Sequence, residues 1–112
     1  FYANSPETTA IESFGAIRRG PAEIREMYVR AFEEVHFDDV QLTPIAQSAK
    51  DSTSWITCRY KAQTRLRTDN SKYVLEVYAS FVMEKDDAGA WKIKLEHFSP
   101  IADVPRVRPL DN

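Results

Sequence analysis

The chain has 112 residues, 43% of them hydrophobic and 29% charged. That apolar share belongs to a folded domain and excludes wholesale disorder, and the length fits a single domain over residues 1–112. Fifteen Lys and Arg against seventeen Asp and Glu leave a net charge of −2, so there is no basic footprint for nucleic acid.

A short strand is expected over residues 8–13. A helix follows, with Gly20 as its cap and Pro21 at the first helical position, where a missing N–H costs nothing. Glu23 then meets the free amides of the first turn. Ile24, Met27, Tyr28, Ala31, Phe32 and Val35 recur at helical spacing and form one apolar stripe. Glu26 and Arg30 pair on the opposite face. The helix is expected to end near Val35, and Asp38-Asp39 to turn the chain.

Strands come next: 40–47, then 53–67 after a turn at Asp51-Ser52, then 72–85 after a hairpin turn at 68–71. A last strand, 90–101, follows Asp86-Asp87-Ala88-Gly89. The tail, 102–112, carries Pro105 and Pro109 and is expected to be irregular. Regular alternation in the last strand puts Trp91, Ile93, Leu95 and His97 on one face and Lys92, Lys94 and Glu96 on the other. In the strand before it, Tyr73, Leu75, Val77, Ala79, Phe81 and Met83 form one face. The second face, Val74, Glu76, Tyr78, Ser80 and Val82, is only half polar. A sheet of that kind has something on both sides, and a second copy of the protein is the expected cover.

No apolar run approaches the ~20 residues of a membrane span, so no membrane partner is expected and a cytoplasmic setting fits. Cys58 is the only cysteine, which excludes an internal disulfide and a CxxC site. No phosphate loop and no His-x-x-x-His pair occurs, so neither a metal nor an organic cofactor is expected.

Phe1-Tyr2-Ala3, then Arg19-Gly20-Pro21-Ala22-Glu23-Ile24-Arg25, resembles the opening of SnoaL-like proteins of the NTF2-like superfamily. Trp91-Lys92-Ile93-Lys94-Leu95-Glu96-His97-Phe98-Ser99 resembles their closing strand. The resemblance implies an α+β cone, in which a curved antiparallel sheet, a meander of long strands, wraps an amphipathic helix around an apolar cavity. It also implies a homodimer through the outer sheet face. Family members begin with one or two helices ahead of the first motif; these are absent from this sequence, so that end of the cone is expected to lack part of its cover or to be closed by a partner. The isomerase-type tyrosine belongs to that absent region. At the position of the isomerase base only Glu12 can substitute, and the second acid falls near Ala79 or Ser80, so steroid isomerisation is not supported.

His97 is the leading candidate for proton transfer, since its phase with Trp91, Ile93 and Leu95 aims it at the cavity. Symmetric hairpins place Arg59, Ala79 and His97 in one row on the inner face, with Arg59 to hold an oxyanion and Ala79 leaving room for ligand. A one-residue slip instead turns Arg59 outward and brings Ile56, Cys58 and Tyr60 in. Glu12 is a second candidate base. Tyr2, Tyr28, Trp55, Tyr73 and Phe81 are candidate walls for a small apolar organic ligand. Two functions fit: an enzyme doing cofactor-free acid–base chemistry of the isomerase, dehydratase or cyclase type, or a non-catalytic ligand-binding or dimerisation module.

Overall fold

A computed structural model describes residues 1–110. Its one helix among the described residues, α1 (Gly20–Glu34), starts within a residue of the expected position. Arg19 precedes it, and the Arg19 N–H donates to Glu23 Oε1 at 3.1 Å. Gly20 has φ +82°, a left-handed conformation that strains any residue with a Cβ. Its N–H donates to the Thr8 carbonyl at 2.7 Å, tying the helix start to the N-terminal segment.

Two three-residue strands come before the helix, β1 (Thr9–Ile11) and β2 (Ile17–Arg19). After it run β3 (Val35–Lys50), β4 (Thr53–Leu66), β5 (Lys72–Lys85), β6 (Trp91–Ser99) and β7 (Val107–Pro109). They make one sheet in the order β2-β1-β6-β5-β4-β3, with β7 also on β5. The architecture is the expected α+β one, and β3 to β6 form the expected antiparallel meander. The sheet as a whole is mixed, because β1 lies parallel to β6 with Ala10 opposite Glu96.

Three local expectations are corrected. First, the strand expected from Val40 starts at Val35, directly after the helix. Asp38 does not turn the chain; it sits at a register shift between Phe37 and Asp39, where Arg65 Nη2 donates to its Oδ1 at 3.2 Å. That contact gives the carboxylate a cross-strand partner, so the bulge replaces a turn. Second, the tail is not wholly irregular. β7 pairs with β5 through Leu75↔Val107 and Tyr73↔Pro109, and Arg108 Nη2 donates to Glu76 Oε1 at 2.8 Å. Arg59 Nε donates to the other oxygen, Oε2, at 2.7 Å, so one buried carboxylate ties β4, β5 and β7 together. The Arg108 contact, followed by that of Arg59, holds Glu76 below the usual carboxylate range.

The third correction decides the site. Val82 pairs with Leu95, but the next residue, Met83, pairs with Ile93. Lys94 is therefore an extra residue in β6, a bulge that reverses the alternation after it. Trp91 and Ile93 keep the face expected of them, while Leu95 and His97 turn to the outer face. Glu96, opposite Phe81, and Phe98, opposite Ala79, turn inward. The core gathers on that inner face: Cys58, Ala62, Val77 and Ala79 are almost fully buried, together with Ile24 of α1 and Ala10 of β1.

Candidate functional site

Between α1 and the inner face of the sheet lies a cavity of about 310 Å³. Met27, Tyr28 and Ala31 line it from the helix, at the spacing that the apolar stripe dictates. Phe37, Tyr60, Leu75, Val77, Phe81 and Phe98 line it from four strands. The Phe98 ring meets Tyr60 edge-on at 5.8 Å and Phe81 at 6.2 Å, which fixes the wall geometry. Glu12, Ser13, Phe14 and Arg106 complete the lining.

Glu96 is the polar centre of this apolar space. It is 2% exposed. Tyr28 Oη donates to its Oε2 at 2.6 Å and Tyr2 Oη to its Oε1 at 2.9 Å. Tyr28 comes from the helix. Tyr2 comes from the N-terminal segment, which runs beside β6 with the Ala3 N–H on the Ile93 carbonyl at 2.8 Å. Burial raises the Glu96 pKa above the ordinary carboxylate value, and the two phenol hydrogen bonds only partly oppose it. Desolvating a carboxylate costs several kcal/mol, and each hydrogen bond to a charged group returns about 1.5–3 kcal/mol, so the two phenols offset a large part of that cost. No guanidinium or ammonium is paired with Glu96 among the described residues. Burial, followed by the Glu96 charge, raises the Tyr28 pKa; burial is also the largest cause for Tyr2. Both stay neutral phenols, able to donate. Burial, with Glu96 again second, raises Tyr60 as well.

The residues expected at the site divide. Tyr2 and Tyr28 meet at Glu96, with ring centroids 6.1 Å apart, and Phe81 lines the cavity. Glu12 reaches the lining, but Arg18 Nε donates to its Oε2 at 3.0 Å, so it is already paired. Ala79 is buried on the inner face behind the lining residues, opposite Phe98 and Cys58. Tyr73 is half-buried beside Thr64 and Pro109, away from the cavity. Trp55 is 44% exposed and lines a separate open groove with Trp91 and Gln47.

His97 is exposed and does not line the cavity, because the Lys94 bulge turns it outward. Arg59 pairs with Tyr78 instead of Ala79 and lies on the outer face, held by Glu76. The Arg59–Ala79–His97 row is therefore one residue out of register on both sides. The alternative slip, with Ile56, Cys58 and Tyr60 inward, is the arrangement found. Tyr60 belongs to that alternative set, whereas Glu96, Phe98 and Arg106 were not expected in the cavity. One signal was available: strict alternation would have put Phe98, a large aromatic, on the outer face.

Among the described residues no three His, Cys, Asp or Glu side chains converge as a metal centre needs. No described helix is long and apolar enough to cross a membrane.

Comparison with known proteins places this arrangement. A ketosteroid isomerase-like protein from Erwinia carotovora atroseptica superposes with a TM-score of 0.77 at 16% identity, over 90% of this chain and 76% of its own. An NTF2-like superfamily protein from Salmonella enterica serovar Typhimurium gives 0.76 at 22% identity, over 92% of this chain and 75% of its own. At such identities the likeness is one of fold. No curated protein sequence matches the chain. The family model for the SnoaL-like domain, however, matches residues 2–103. The chain belongs to the SnoaL-like domain family, and its fold is the one these structures share.

Proposed function

We propose that the protein binds a small, largely apolar carbonyl compound in the cavity and that Glu96 moves a proton at the carbon next to the carbonyl. The observation that carries this reading is a single carboxyl buried in an apolar cavity, held by two phenols and paired with no cation. Its raised pKa brings it closer to neutrality, where one group can both take and return a proton. Tyr2 and Tyr28 each give their one O–H proton to Glu96, and so fix the plane of the carboxyl against the cavity. The cavity volume is at the lower end of the ~300–1,000 Å³ usual for ligand sites, enough for one or two fused rings. The chemistry needs only groups that the chain itself carries. A ketosteroid isomerase-like protein shares the fold, and moving a double bond next to a carbonyl begins with such a proton transfer.

The test is proton exchange at carbon. Cyclic ketones such as 2-tetralone are incubated with the protein in D₂O, and loss of the α-proton signal is followed by NMR. Exchange above the buffer rate, lost in Glu96→Gln, supports the enzyme. A ketone that binds and raises the melting temperature with no exchange points instead to a ligand-binding module.

The second copy is read onto the outer sheet face. Tyr78, Val82 and Leu95 are half-buried there in the isolated chain and form an apolar strip that a partner would cover. Light scattering at micromolar concentration is expected to give about twice the monomer mass. A monomer at that concentration would remove the dimer.

A further inference from the structure

The cavity lining carries a charge that the proton chemistry does not use. Arg106 stands in the segment leading to β7, with its side chain exposed at the rim. Its backbone is anchored, since its carbonyl accepts the Glu76 N–H at 2.9 Å. Its guanidinium lies 5.6 Å from the ring centroid of Phe14, and Nη1 donates to Ser13 Oγ at 3.4 Å. Ser13 and Phe14 belong to the β1–β2 loop, so two distant parts of the chain meet there.

Among the described residues no carboxylate is paired with Arg106. Glu12, also in the lining, is neutralised by Arg18. Glu96 is deep, and the side chains that donate to it are Tyr2 and Tyr28, not Arg106. Among the described residues the mouth therefore presents one unpaired cation beside an exposed aromatic face, over a mainly apolar interior whose polar groups are Glu96 and the hydroxyls of Tyr28 and Tyr60.

We propose that the cavity takes an amphipathic carboxylic acid, its carboxylate held at the mouth by Arg106 and its apolar body running inward. This rests on the reading of the cavity as a ligand site and adds the class of ligand. One guanidinium matches one monoanion, in the bidentate geometry that arginine offers a carboxylate. A phosphate dianion would be left half compensated. Phe14 gives the first ring of the ligand an aromatic neighbour. A carbonyl or hydroxyl at the far end of the ligand would then meet Glu96.

The test compares 2-naphthoate with 2-naphthamide, nearly the same shape with and without the charge, by calorimetric titration of the full chain. The wild type is expected to prefer the acid by about tenfold, as for a partly exposed charge-assisted pair. Arg106→Gln is expected to lose that preference while binding the amide as before, and Arg106→Lys to keep part of it. Equal binding of acid and amide by the wild type overturns the proposal but leaves the cavity a ligand site. A preference that survives in Arg106→Gln overturns it too, since the charge would then be read elsewhere. If neither compound binds, the ligand-site reading falls and this one with it.

Discussion

Glu96→Gln is expected to be more stable than the wild type at neutral pH, and at the same time to lose proton transfer by about 100-fold or more. The sign follows from where the proton sits. Glu96 has its pKa raised in the folded chain, chiefly by burial, and an ordinary one in the unfolded chain. Below the ordinary carboxylate value both states hold the proton and the contribution of Glu96 to stability is complete. As pH climbs toward the raised value, the unfolded chain has released a proton that the folded chain still keeps. Stability then falls, by at most about 1.4 kcal/mol per pH unit for one group. Above the raised value the whole contribution is lost. Glutamine keeps the shape and carries no charge, so the variant should not show this fall. Thermal melts of both proteins from pH 4 to pH 8 give the difference curve directly. Glu76 has a lowered pKa and the opposite sign, losing stability as pH falls, but it is present in both proteins and cancels in the difference. A Glu96→Gln variant that is less stable than the wild type at pH 8 would mean that the carboxylate is better satisfied than its partners indicate.

Glu76→Ala should be the most damaging single change on the outer face. It removes the acceptor of both Arg59 and Arg108, and Arg108 Nη1 is already buried without a partner. Both arginines keep about a third or more of their side chains in water, so rehydration softens the loss. A cost of about 1–3 kcal/mol is expected, as for a broken hydrogen-bonded network at partial exposure. Chemical denaturation measures it. The change should also free β7, since Arg108 is its side-chain link to the sheet, and amide exchange over residues 106–110 should rise more than over β4. Glu76→Gln, which keeps one acceptor oxygen, should lose less. Unchanged exchange in the tail of Glu76→Ala would mean that the backbone pairing of β7 holds it alone.

The expected and observed elements differ in an instructive way. The helix was legible because its apolar stripe, Pro21 and Glu23 are all local signals, and β5 was legible to the residue because turn residues flank a β-branched run. β1 emerged shorter than expected, while β2 and β7 were not legible. Three residues carry no period, and these strands exist because β1 and β5 offer them edges. Asp38-Asp39 has turn chemistry, but the cross-strand grip of Arg65 on Asp38 overrode it. At the site, Tyr28 and Phe81 were legible as apolar lining, which burial alone demands, while Tyr2 reaches it only through its hydrogen bond to Glu96. Glu96 was not legible, because its facing depends on a bulge that neither glycine nor proline marks in β6.

That bulge has a consequence for any comparison among relatives. Lys94 acts as a frame-shifting residue: ahead of it odd-numbered side chains face inward, and after it even-numbered ones do. Lys94 is also engaged, its Nζ within 3.3 Å of Ser5 Oγ and 3.5 Å of Glu7 Oε2. Deleting Lys94 would make the strand regular and still leave Glu96 inward. Ironing out the bulge with Lys94 kept would present His97 to the cavity instead. Two chains of this kind could thus align without a gap through Trp91–Ser99 and still offer a carboxyl in one and an imidazole in the other. Strand register, more than residue identity, sets which acid–base group the closing strand delivers.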